Sequence, residues 1–161
     1  MKPLPIIEQY IRAGRWRQAR LAIRRSLHNE PGSHWLITRL GLTHYEQYRY
    51  KTALKYHQQA LRIAPNCPLV LWEYAGALQM LKRHKLAINI FNRLIRRGPR
   101  RIAHGDCGEG IARARGLVAD CHYRLSRSFK CLGFNKKALV ALNRHLNMRG
   151  PGCSSIYKIA S

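Results

Sequence analysis

At 161 residues and 46% apolar content, the chain has the size and composition of one folded domain rather than a disordered segment. Thirty Lys and Arg against seven Asp and Glu leave a net charge of +23, which no fold requires and which self-repulsion makes costly. Seven acidic residues leave few candidates for general acid–base chemistry, and no Ser/His/Asp set, carboxylate pair or Cys-x-x-Cys is present, so the sequence argues against an enzyme.

The first predicted helix opens near Pro5, a tolerated first-turn residue, and carries Ile6, Ile7, Tyr10 and Ile11. Gly14 and Trp16 fall in a turn, a second helix carries Ala19, and Pro31 ends it. The stretch 34–99 is more regular. Leu40, Gly41, Tyr45, Ala53, Ala60 and Pro65 recur in kind as Tyr74, Ala75, Ala87, Phe91 and Pro99. Ala53 to Ala87 is 34 residues, as is Pro65 to Pro99. Helices are predicted near 34–47, 51–64, 69–81 and 85–97. Small residues mark close helix–helix approach, and each Pro stops a helix. The register then slips, because Ala138 lies 51 residues beyond Ala87. The seventeen extra residues fall at 102–118. There Asp106 followed by Glu109 predicts a capping box and a helix from about Cys107. Leu125, Ser126, Phe129, Gly133, Ala138, Leu139 and Leu142 complete a last helical pair, closed by Gly150 and Pro151. The tail 151–161 is too short for a sealing helix. Ile156, Tyr157 and Ile159 are candidates to fold over the outer face of the last helix (Leu139, Leu142, Leu146). Otherwise a partner or a second copy covers it, by self-association.

A 34-residue period of this kind resembles the tetratricopeptide repeat (TPR), a pair of antiparallel helices that buries its apolar face only by stacking on neighbours. The resemblance implies an all-α TPR helical solenoid of about four helix-turn-helix repeats, at about 1–33, 34–67, 68–101 and 119–150, with an insertion before the last. The whole of 1–150 reads as one domain. The first repeat is atypical, since Ile7 stands where the family expects a small residue.

The resemblance also implies a concave groove lined by the first helix of each repeat, suited to a peptide or helix. Its lining here is Trp35, Leu42, Tyr45, Trp72, Gln79 and Met80, then Tyr123, Arg127 and Lys130, aromatic at one end and basic at the other. Thr38 and Leu42 stand where the family's carboxylate clamp needs Lys and Asn, so a chaperone-tail function is not carried over. The second helices would form a basic convex face: Arg17, Arg24, Arg25, Arg93, Arg96, Arg97, Arg100, Arg101, Lys136 and Lys137. The insertion, with two Arg and two acidic residues, is neutral, so the basicity belongs to the repeats. Four explanations compete for it: RNA or the ribosome, an acidic protein, an anionic membrane surface, and a generally Arg-rich proteome. The leading expectation is a non-enzymatic scaffold, adaptor or chaperone for an acidic protein or peptide. The alternative is an RNA- or ribosome-associated scaffold.

His104, Cys107, Cys121 and His122 form the only metal-like set. Adjacent helical residues point about 100° apart, so no metal is assigned. Gly105–Gly110 lacks a preceding strand and a Gly-Lys-Ser/Thr, so neither a nucleotide nor any other cofactor is expected. Five cysteines, an odd number, without an apolar leader read as free thiols in a reducing, cytoplasmic setting. The basic, amphipathic stretch Ile6–Leu27 would also suit a mitochondrial presequence, though the repeat register claims it. No run of 18 apolar residues occurs, so no membrane-spanning helix is expected.

Overall fold

The computed structural model describes residues 5–157, and its described residues form eight α-helices and no strand. The chain divides into two compact units, Met1–Leu81 and Lys82–Ser161.

The first unit holds α1 (Pro5–Arg12), α2 (Trp16–Asn29), α3 (His34–Tyr45), α4 (Tyr50–Ile63) and α5 (Pro68–Met80). Each helix packs on the next, and α3 also packs on α5. Ile7, Ile23, Leu36 and Leu40 make one core cluster, and Ile37, Ala60, Cys67 and Val70 a second. Ile7, too large for the family pattern, is fully buried in the first. Ala19, Ala53 and Ala60 are fully buried, as a close helix–helix approach requires.

The helix-to-helix turn is set by backbone chemistry. α1 ends at Gly14 in the left-handed region (φ 65°), and α3 ends at Tyr48 (φ 61°), 34 residues later. Lys82, another 34 on, repeats the angle (φ 61°), and Gly133 repeats it beyond the insertion (φ 80°). At three of these turns the hydrogen bonds are those of a Schellman motif. The amides of Gly14, Tyr48 and Gly133 donate to the carbonyls of Ile11, Tyr45 and Lys130 at 2.9–3.0 Å. The next amides, of Arg15, Arg49 and Phe134, reach back to Tyr10, His44 and Phe129 at 2.8–3.0 Å. The 34-residue period is therefore written in the backbone as well as in the side chains. Trp16 and Tyr50 are not turn residues: each is the first residue of its helix.

The second unit holds α6 (His84–His104), α7 (Ile111–Cys131) and α8 (Asn135–Met148). α7 packs on both others, and Ile102, Ala103, Ala114 and Val118 form its core cluster. Three expectations are corrected here. Pro99 does not end a helix. Gly98 breaks α6 (φ 74°, ψ 160°), and Pro99 opens a further short helical stretch to His104, where its fixed φ suits a first turn. The helix expected from Cys107 begins at Ile111. Cys107 and Gly110 both have positive φ (63° and 91°), and Asp106 caps nothing; Glu109 instead pairs with Arg113 at 2.6 Å. The described part of the tail leaves Leu139 and Leu146 of α8 uncovered. Tyr157 rests on α7, and Ile156 is 67% exposed. Ile159 lies outside the described residues.

α3 and α4 meet at a glycine. A Cβ on Gly41 would lie 2.5 Å from His57 Cε1 and 2.8 Å from its Nδ1. Gly41→Ala should therefore destabilise by about 1–3 kcal/mol through overpacking, although alanine favours the helix; urea unfolding tests this. His57 is fully buried and neither ring nitrogen has a hydrogen-bond partner. Burial lowers its pKa from 6.5 to about 4. Above pH 6.5 the ring is neutral whether folded or unfolded. As pH falls, the unfolded chain takes up the proton first, so stability is lost progressively down to about pH 4. The full loss is about 3 kcal/mol, and His57→Leu should remove that part of the pH dependence in unfolding curves between pH 7 and 4.

Candidate partner-binding surfaces

The most constrained surface lies on one face of α7. Residues 153–157 run across it as a non-helical segment with a bend at Ile156. The Ser154 amide donates to the Ala112 carbonyl at 3.0 Å, and the Ile156 amide to Asp120 Oδ2 at 2.9 Å. The Ser155 hydroxyl donates to Asp120 Oδ1 in a short hydrogen bond and accepts from the Tyr157 amide at 3.2 Å. The Tyr157 ring lies against Tyr123, tilted by 35° with centroids 4.2 Å apart, and its hydroxyl accepts from Arg124 Nε at 2.5 Å. Gly116 makes the approach possible: a Cβ there would overlap the Ser154 carbonyl. His145 on α8 closes the site from behind, its Nδ1–H donating to the Ala119 carbonyl at 2.8 Å. Asp120 is only 2% exposed. Burial raises its pKa, while the bonds from Ser155 and Ile156 pull the other way.

A second feature is a cleft of about 330 Å³ between α6, α7 and α8. Ile95, Leu125, Phe129 and Val140 make it apolar, and Lys136, Lys137 and Arg144 stand among its lining. Lys137 sits 5.2 Å from the centre of the exposed Phe134 ring and 6.0 Å from that of Phe129. His122 also lines it; burial and the neighbouring Arg144 lower its pKa.

The groove positions divide by burial. Trp72 and Gln79 are buried, Trp35, Leu42, Tyr45 and Tyr123 are half-buried, and Met80, Arg127 and Lys130 are exposed. Trp35 packs on the first core cluster with the Arg39 guanidinium 5.3 Å above its ring. Tyr123 is taken up by Tyr157. Of the basic residues, Arg17, Arg24 and Arg25 are exposed on α2, and Arg93 and Arg96 on α6. Arg100 and Arg101 are exposed beyond the Gly98 break, Arg97 is half-buried, and Lys136 and Lys137 join Arg144 at the cleft. Of the metal-like set, Cys121 is a fully buried thiol whose pKa burial pushes well up, while His104 and Cys107 are exposed. Sequence reasoning missed the tail site and the cleft. The signals were present: Gly116 and Asp120 four residues apart in a helix, and Phe129, Phe134 and Val140 interleaved with Lys136, Lys137 and Arg144.

Among known families, a model described as tetratricopeptide repeat matches residues 44–105. That stretch of the chain is tetratricopeptide repeat. The fold of the chain is shared with solved structures of MamA. One superposes with a TM-score of 0.66 at 16% identity, covering 92% of this chain and 77% of that one. MamA MSR-1 gives 0.60 at 20% identity, covering 86% and 70%, and MamA AMB-1 gives 0.59 at 21% identity, covering 87% and 72%. At such identities the likeness is one of fold. No curated protein sequence matches the chain. No described helix is long and apolar enough to cross a membrane.

The tail contacts make a direct prediction. Ser155→Ala removes a donor that favours the Asp120 carboxylate, so Asp120 should titrate at higher pH than in the parent protein. Carboxyl-carbon NMR across pH 3–8 reads the shift; an unchanged midpoint would refute the contact.

Proposed function

We propose that this chain is a non-enzymatic TPR scaffold that holds an acidic partner protein. The observation carrying the reading is the cleft between α6, α7 and α8: an apolar floor with Lys136, Lys137 and Arg144 beside it and no acidic residue in its lining. An amphipathic helix with apolar anchors at helical spacing and carboxylates on its flanks meets both demands. A trough of this size, near the lower end of small-molecule sites, suits two or three anchoring side chains. The net charge of +23 steers such a partner toward the protein at low salt. The first helices of the repeats add a finer form of the proposal, a peptide held along Trp35, Leu42 and Tyr45 of α3 in the first unit.

RNA is the second reading, favoured by the exposed arginines of α2 and α6. The two separate by salt and by the cleft. A synthetic helical peptide with a Leu stripe and Glu flanks should bind the full chain, in anisotropy titrations at physiological salt. Val140→Asp with Lys137→Glu should weaken it about tenfold or more. Binding of a single-stranded RNA that falls steeply with salt, with the peptide unaffected by both substitutions, would favour the RNA reading instead.

A further inference from the structure

The tail site makes demands that are unlike those of the cleft. By the 3.6-residue period, Ala112, Gly116, Asp120, Tyr123 and Arg124 share a face of α7 distinct from that of His122, Leu125 and Phe129. A glycine inside a 21-residue helix costs about 1 kcal/mol relative to alanine. Gly116 faces the backbone of 154, where any side chain would block a close-lying segment. Asp120 is a carboxylate nine-tenths and more buried, hydrogen-bonded by a hydroxyl and an amide, with His145 Nδ1 3.9 Å from Oδ1. Tyr123 and Arg124 offer a ring face and a donor to an aromatic hydroxyl two residues further on. Together these are a notch for backbone, an acceptor for a hydroxyl residue, and a clamp for an aromatic one.

We propose that this face of α7 is a recognition site for a short non-helical segment of a partner protein with the pattern hydroxyl residue, any residue, aromatic residue. The chain's own Ser155-Ile156-Tyr157 is its resident ligand, so the site is self-occluded. Three features suit the tail to release. It hangs from Gly150-Pro151-Gly152, with Gly152 at φ 77°. Its middle residue Ile156 faces solvent, 67% exposed. Its described residues are held to the helix by short-range polar contacts and one tilted ring contact. An incoming segment of the same pattern replaces each contact one for one, so exchange leaves neither Asp120 nor Arg124 without a partner. The proposal is independent of the acidic-partner reading, because it concerns another face and a ligand that donates to a carboxylate.

The test keeps the full chain. A labelled peptide Cys-Ser-Ser-Ile-Tyr-Lys is titrated against the parent protein and against Ser155→Ala/Tyr157→Ala, whose own tail binds poorly. The doubly substituted protein should bind at least tenfold tighter than the parent, and a peptide with Ala in place of Ser and Tyr should lose that gain. Adding Gly116→Ala should abolish the binding while helicity by circular dichroism is kept or raised. Independently, the Ile156 amide should exchange slowly in the parent and fast in Gly116→Ala. Equal peptide affinity for parent and variant, or binding that survives Gly116→Ala, or an Ile156 amide unprotected in the parent, would overturn the proposal. A concentration-dependent dimer of the parent that the peptide dissolves would also overturn it, by making a second copy the occupant.

Discussion

Close approach through a glycine inside a helix is the constraint on which the rest depends. A helix tolerates such a residue at a cost of about 1 kcal/mol, and the cost is offset only where something presses against the missing side chain. At Gly41 the presser is the His57 ring, and the contact fixes α3 against α4. At Gly116 it is the backbone of the chain's own tail, and the contact fixes residues 153–157 against α7. The same device thus serves the fold in one unit and a surface in the other. His57 shows the consequence for energetics: a ring pressed this tightly has no room for a hydrogen-bond partner, and it is held neutral by desolvation alone.

The turns show why the fold was so legible. Side-chain periodicity predicted the helices of 34–97 to within a few residues, since Ala53, Ala60 and Ala87 mark packing that recurs. The backbone repeats with them, left-handed at Gly14, Tyr48 and Lys82. Tyr48 and Lys82 carry no sequence signal for positive φ, which glycine announces at Gly14 and Gly133. The turn there is imposed by the helices that it joins. Where the register slips, local signals misled. Asp106 and Glu109 have the spacing of a capping box, but positive φ at Cys107 and Gly110 leaves no helix for Asp106 to cap. Pro99 reads as a terminator, but a proline after a left-handed glycine is equally an opener, and Gly98 decides the matter.

The candidate sites were less legible, for a physical reason. A groove position is defined by periodicity, but its availability depends on what else reaches it. Tyr123 was named from its place in the repeat, and it is indeed on the surface of α7, yet Tyr157 lies upon it. Trp72 holds the matching place in α5 and is 6% exposed. Nothing in a one-dimensional pattern says that a segment 30 residues downstream returns to the helix. Charge counting was similarly blunt. It assigned Lys136 and Lys137 to a basic face but could not show that Phe129 and Val140 stand between them and Arg144.

α7 therefore presents two surfaces of different chemistry. On the cleft side, burial and then Arg144 lower the pKa of His122, and the three cations have no acidic neighbour in the described lining. On the tail side, the desolvation of the buried Asp120 carboxylate is partly offset by the hydrogen bonds from Ser155 and Ile156 and by His145 and Arg149. In the proposed readings, an acidic segment is matched by the cations of the cleft and a hydroxyl-and-aromatic segment by the donors that the buried Asp120 carboxylate requires, so the two faces of α7 ask for partners of different chemistry.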